Sequence, residues 1–236
     1  MEVDIFIPAY VDQISPNTGL NMVSILNRFN VTTHYNPEQT DIGENVFNNG
    51  NWEDAKLIGQ KFIDDFDTDR YVVSPCYSAV YHVRNYFDEM FYNSSFHNKY
   101  HKLKDNLFEF SEFLTEILKI SSLNAVFNYR ISFLNPLMMN QNSIFTVLNF
   151  VRGLTIVDVD GNETPGFYES FLIPKFDFIR LKTAEDYIEK ASKLNVDYIV
   201  TTDTHVIEYL NSAIANKNSN IKTIHLIDLI NYSENN

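Results

Sequence analysis

A single cysteine, Cys76, occurs in the 236 residues. No intramolecular disulfide can form, and no centre that needs several thiolates can be assembled from this chain alone. Basic residues are also scarce: 18 Lys plus Arg stand against 31 Asp plus Glu, for a formal net charge of -13. A surface that neutralises phosphates needs clustered positive charge. No such cluster appears, so neither nucleic acid nor an anionic membrane surface is expected as a partner. No apolar run reaches the roughly 18 residues of a membrane span. The opening Met1-Glu2-Val3-Asp4-Ile5-Phe6-Ile7-Pro8 lacks a basic n-region and a long apolar stretch. It reads as a strand rather than a signal peptide, which with the lone cysteine implies a cytoplasmic location. GxSxG, P-loop, GxGxxG and HExxH patterns are absent as well.

What is present is a 44% hydrophobic chain in which short β-type runs alternate with helical spacing. Val3–Ile7 is apolar and β-branched, and Pro8 ends it. Residues 18–28 predict a helix with Leu20, Val23, Ile25 and Leu26 on its apolar side. Val31–Tyr35 predicts a strand. Trp52, Ala55, Ile58, Phe62 and Phe66 recur every three or four positions, so 51–66 is helical. Tyr71-Val72-Val73 is a buried-strand run, and 78–91 is a helix with Val80, Val83, Phe87 and Met90 on one stripe. Phe108, Phe110, Phe113, Leu114, Ile117 and Leu118 predict another helix. The scheme then restarts. Arg130–Leu134 predicts a strand ended by Asn135-Pro136, and Leu154–Val159 a second one. Residues 184–193 and 205–216 are helical, and Asp197–Thr201 and Lys222–Leu226 are strands.

The halves share a layout: a strand into a Pro-containing turn, a glycine (Gly43, Gly166) about 30 residues on, then a buried strand beginning at Tyr71 or Tyr198. This predicts an α/β chain of two pseudo-repeated βαβ-type domains, 1–124 and 125–236, with mostly parallel sheets. Ligands of such sheets lie beyond the carboxyl ends of the strands. Those ends are Pro8–Tyr10, Ser74–Ser78, Asn135–Met138 and Thr202–His205.

Motifs at the same strand ends carry a resemblance. Phe6-Ile7-Pro8-Ala9-Tyr10-Val11-Asp12, with Pro16 and Gly19, is similar to FxPCxVDxxxPxxG. Gln39-Thr40-Asp41-Ile42-Gly43 is similar to QTCCG, Phe47-Asn48-Asn49-Gly50 to AFNxG, and Tyr71–Ala79 to YVVxPSGSC. In the second half, Ile131–Met138 resembles VxYHDSCH, Thr164-Pro165-Gly166-Phe167 resembles CCGF, and Asp203-Thr204-His205-Val206 resembles DxxC. The chain therefore resembles the lactate-utilisation protein A family. The same cysteine-rich (CCG) domain pair occurs in the glycolate oxidase iron–sulfur subunit and in heterodisulfide reductase. The resemblance implies a fold and a place among oxidoreductase subunits. It also implies that cysteines elsewhere in the family ligate iron–sulfur clusters. Here the corresponding positions are Ala9, Asp41, Ile42 and Ala79 in the first half, and Leu137, Thr164, Pro165 and Val206 in the second. Soft thiolates hold such clusters; these side chains do not. No iron–sulfur cluster, and no other cofactor, is expected.

Other residues could carry chemistry. Cys76 stands just after a strand, where a thiolate would be favoured, although the base rate for cysteine is an inert buried thiol. Asp41, Glu44, Asp203 and His205 flank the altered loops and are the candidate ligands for a replacement metal. Against this, the pairs lie in different halves, and Asp203 reads equally as a helix N-cap. His97 and His101 are spaced i, i+4 in a polar stretch without a third ligand. Tyr10, Tyr77, Phe167 and Tyr168 either line a small-molecule pocket or fill space, and close packing favours filling.

The expected role is a cluster-free, non-catalytic interaction or regulatory subunit linked to lactate or glycolate oxidation, with protein partners that include oxidoreductase subunits. The alternative is a small-ligand-binding protein or enzyme using the remodelled cleft.

Overall fold

A computed structural model describes residues 1–134, 142–159 and 177–232. The chain divides into two compact units, Met1–Phe113 and Leu114–Asn236. Lys119–Ala125, beyond that division, has no regular element.

The first unit runs β1 (Glu2–Ile5), α1 (Ala9–Ile14), α2 (Pro16–Arg28), β2 (Thr32–Tyr35), α3 (Glu44–Asn48), α4 (Trp52–Asp65), β3 (Tyr71–Ser74), α5 (Tyr77–Phe91), α6 (His97–Asn106), β4 (Leu107–Glu109) and α7 (Phe110–Glu112); one π-helical turn, Phe113–Ile117, follows at the division. The second runs β5 (Arg130–Phe133), α8 (Asn142–Asn149), β6 (Thr155–Ile156), α9 (Asp177–Lys193), β7 (Tyr198–Thr201), α10 (Thr204–Lys217), β8 (Lys222–His225) and α11 (Leu226–Tyr232).

Each unit holds a four-stranded parallel sheet, in the order β2-β1-β3-β4 and β6-β5-β7-β8. The predicted duplication is therefore present at the level of topology. The registers correspond too: Val3 pairs with Tyr71 and Ile131 with Tyr198, so the two tyrosines open the same strand of each copy. Parallel strands covered on both faces are apolar throughout, and Val72, Val73, Ile199 and Val200 are fully buried.

Several helices differ in detail from the periodicity. In α2 the buried face is Thr18, Gly19, Met22, Ile25 and Leu26, and Leu20 points to solvent. Gly19 is on that face because a Cβ there would lie 3.3 Å from Ile7 Cδ1. In α4 the face is Ala55, Gly59, Phe62 and Ile63, while Trp52 is 55% exposed. Gly59 lets α4 approach α5: its Cβ would meet Phe91 Cζ at 3.0 Å and Phe87 Cζ at 3.2 Å. The α5 stripe of Val80, Val83, Phe87 and Met90 is buried as expected.

The aromatic run from Phe108 is not one helix. It contains strand β4, which pairs Val72–Ser74 with Leu107–Glu109. Three residues are too few for a period to declare itself, and Phe108, Phe110 and Phe113 mimic helical spacing. The polar stretch around His97 and His101 forms α6, anchored by buried Tyr100 and Leu103. Helix α9 begins at Asp177, well before residue 184. Among the described residues no helix is long and apolar enough to cross a membrane.

Candidate functional site

The carboxyl ends of β3 and β4, and of β7 and β8, are built alike. At each, the last strand residue is polar and buried, and its side chain accepts the backbone N–H two residues on. Ser74 Oγ accepts from Cys76 N at 3.3 Å, and Thr201 Oγ1 accepts from Asp203 N at 3.2 Å. Glu109 Oε2 accepts from Ser111 N at 2.8 Å, and His225 Nδ1 accepts from Ile227 N at 3.2 Å. Each bond satisfies a donor freed where a buried strand ends. It also sets the entry into the next helix.

In the first unit, the turn after β1 leads into α1, where Ala9 is the exposed first residue. Ile7 N–H donates to Gln39 Oε1 at 3.0 Å, which ties that turn to the segment 38–43. That segment is closed by its own polar groups. Asp41 Oδ1 accepts from Ile42 N at 2.6 Å, and Asp65 Oδ2 accepts from Thr40 N at 3.0 Å. Lys61 Nζ donates to the Glu38 carbonyl at 2.8 Å and pairs with Asp65 at 2.7 Å. Gly43 takes φ +77° as the residue before α3, where a Cβ would meet the Ala55 carbonyl at 3.2 Å. Only glycine turns there without strain. Ile42 is 1% exposed and Ala79, in the first turn of α5, is 2% exposed.

The outer edge of this unit concentrates charge. Arg84 on α5 pairs with Glu112 through Nη1, at 3.1 Å to Oε1 and 2.9 Å to Oε2, and its Nη2 donates to the Leu107 carbonyl. Glu109 is fully enclosed; burial pushes its carboxyl up to about 8, and Glu112 adds to that against the Ser111 hydrogen bonds. Burial likewise raises the Tyr77 phenol, with Glu112 contributing. Cys76 is buried, its Sγ 3.3 Å from Ser78 Oγ. His82 lies on the same helix as Arg84 among Phe47, Tyr86 and Phe87, at centroid distances of 5.2, 5.1 and 5.9 Å. Burial holds it down to about 4, and among the described residues neither ring nitrogen has a hydrogen-bond partner. Periodicity places His82 on a helix but cannot reveal this enclosure, nor the position of Glu109 on a strand.

In the second unit, Leu137, Thr164 and Pro165, with Phe167 and Tyr168, lie outside the described residues. Val206 is 1% exposed in the first turn of α10. Asp203, as expected, is the N-cap position of that helix, but its side chain makes no cap hydrogen bond. His205 is half-buried. In the first unit Asp41 is committed to its own loop, and Glu44 opens α3. Among the described residues no group of three or more His, Cys, Asp or Glu is placed to hold a metal. A cleft of about 800 Å³ opens at the other end of the second sheet, beside Asp197, Tyr198, Lys217 and Lys222. It faces the amino ends of β7 and β8, away from the strand ends where such folds bind ligands.

Topology and strand-end geometry thus define a duplicated parallel α/β chain. Over nearly its whole length it is similar to proteins named Lactate utilization protein A. It is 27% identical over 240 residues to the one from Halalkalibacterium halodurans, covering 99% of this chain and 98% of the relative. It is 26% identical over 238 residues to Lactate utilization protein A 2 of Bacillus cereus strain Q1, covering 98% of each chain. No family model matches the chain. Among solved structures, a hypothetical protein from Helicobacter pylori superposes with a TM-score of 0.60 at 12% identity. All of this chain is covered, while it spans about half (49%) of that protein. That likeness concerns the fold alone.

Proposed function

We propose that this protein is a cluster-free relative of lactate utilization protein A, acting as a non-catalytic interaction or regulatory subunit in lactate or glycolate oxidation. One observation carries the reading. Three of the positions that the resemblance sets against cluster cysteines are apolar and packed: Ile42 is 1%, Ala79 2% and Val206 1% exposed, while Ala9 is exposed and Asp41 is bound into its own loop. An iron–sulfur core needs several thiolates, and one cysteine cannot supply them. The two units then correspond to degenerate CCG domains, 1–124 and 125–236, that keep a scaffold without its redox centre. Partner-binding surfaces can outlast a cofactor, because they depend on the fold's exterior. Oxidoreductase subunits in the cytoplasm are the partners proposed.

Similarity to the named relatives supports the lactate link. The test is to tag the full chain in its native cell during growth on lactate, recover it gently, and identify stoichiometric companions. Recovery with lactate- or glycolate-oxidising subunits, and a growth defect on lactate when the gene is deleted, is expected. Recovery of the chain alone, with normal growth of the deletion strain, would contradict the role.

A further inference from the structure

We propose that the aromatic strip formed by α3, α4 and α5 is a docking surface for an arginine-bearing segment of a partner protein. Trp52, the one tryptophan of the chain, stacks on Phe47 with ring centroids 5.1 Å apart and planes 14° from parallel. That ring covers one face of the indole, and the residue is still 55% exposed. Tyr86 carries the strip across to α5, 5.2 Å from Phe47, and Tyr81 continues it, 6.2 Å from Tyr86. Both tyrosines are half-buried. Contacting rings drawn from three helices make a continuous patch, unlike apolar residues scattered singly over a surface. Tryptophan and tyrosine are the residues that most often anchor protein interfaces.

Charge selects the partner. Burial raises the Tyr86 phenol, and Tyr81, Glu44 and Glu89 add to the rise, so both carboxylates lie close to the strip. Glu53 and Asp54 follow Trp52 in the first turn of α4. Among the described residues Glu53 and Glu89 make no ion pair. Arg84, the cation of α5, is committed to Glu112. Among the described residues no Lys or Arg lies over the Trp52, Tyr81 or Tyr86 ring, whereas Lys104 lies over Tyr100 and Lys222 over Tyr198.

The outer face of Trp52 is therefore open to a cation from another molecule. A guanidinium suits it better than an ammonium. It is planar and weakly hydrated, and it stacks on an aromatic face while its N–H groups reach carboxylates. A second copy of this chain, with net charge -13, is repelled by such a surface, and so is a nucleic acid. The strip stands on the first unit alone and depends neither on the lactate reading nor on the oxidoreductase partners proposed above.

Trp52 reports on its own surroundings, because no other tryptophan emits. The test titrates the full-length protein at low salt with an amidated decapeptide of alternating arginine and alanine, and with the same peptide carrying glutamine for arginine. The arginine peptide is expected to change Trp52 emission saturably and to shield it from acrylamide, with the glutamine peptide at least about tenfold weaker. Anisotropy of a fluorescein-labelled arginine peptide reads the variants. Trp52→Ala and the pair Glu44→Gln/Glu89→Gln should each weaken binding about threefold or more, with circular dichroism unchanged. Asp186→Asn/Glu208→Gln removes the same charge from exposed positions of the second unit and should leave affinity within about twofold. No saturable change up to about 1 mM peptide, or equal weakening by the second-unit pair, would overturn the docking surface. Equal binding of the glutamine peptide would overturn the choice of arginine. Dimerisation in sedimentation that Trp52→Ala abolishes would replace the partner by a second copy. Co-purification, which reads the subunit role, can fail without altering these outcomes.

Discussion

Ser74 and Thr201 occupy the same place in the two units, each ending the third strand of its copy and each accepting the N–H of the residue two positions on, at 3.3 and 3.2 Å. Both are fully buried. Ser74→Ala and Thr201→Val should each destabilise by about 1 kcal/mol, because the Cys76 and Asp203 N–H groups lose their acceptors. Each turn is closed by bonds of its own unit, so the two effects should add in the double variant, measured by urea unfolding. Marked non-additivity would contradict the independence of these turns.

Ile42 fills the first unit at a position that the resemblance sets against a cysteine. Ile42→Ala should behave as a core truncation, costing roughly 2–4 kcal/mol by denaturant unfolding. Ala9→Gly, at an exposed position, should cost under about 1 kcal/mol. If Ile42→Ala were as mild as Ala9→Gly, the segment 38–43 would not be packed as described.

Glu109 ties stability to alkaline pH. Its carboxyl is raised from 4.5 to about 8 by burial, so between those values the folded chain holds a proton that the unfolded chain has released. Unfolding free energy should therefore fall as pH rises from 4.5 to about 8 and level off above, by at most roughly 1.4 kcal/mol per pH unit. Glu109→Gln keeps a neutral acceptor for Ser111 and should flatten this limb in thermal melts between pH 5 and 9. An unchanged slope would show that Glu109 is ionised in the fold.

His82 acts in the opposite direction. Its imidazole is held down from 6.5 to about 4, so in that window the unfolded chain binds the extra proton. Stability is complete above 6.5 and is lost as pH falls toward 4. His82→Phe suits the cluster of Phe47, Tyr86 and Phe87 and removes two buried nitrogens that lack partners among the described residues. It should raise stability at neutral pH by about 1 kcal/mol and reduce the loss on acidification. A steeper acid limb in the variant would contradict the neutral, enclosed histidine.

The duplication is readable from the sequence because it is written in long-range layout: Tyr71 and Tyr198 open the same strand, and each follows a glycine, Gly43 or Gly166, by about 30 residues in the sequence. Continuous apolar runs announce β3 and β7 for the same reason, since both faces of a parallel strand are covered. The buried faces of helices are harder to read. Leu20 and Trp52 fit the apolar period yet face solvent, while Gly19 and Gly59 take the buried positions because neighbours leave no room for a side chain. Strand β4 is hidden by its length. Of the strand ends, the positions are predictable, but the N–H-accepting turns are not, because Ser, Glu, Thr and His perform the same task there. The enclosure of His82 gives no sequence signal either; a buried polar group is visible only once its surroundings are known.

The proposed role depends most on the absence of a thiolate-held centre. Anaerobic purification of the full chain, followed by reconstitution with iron and sulfide, tests it directly. Substoichiometric iron after desalting and no broad visible charge-transfer absorption are predicted. A stoichiometric iron–sulfur spectrum that survives desalting would contradict a cluster-free protein.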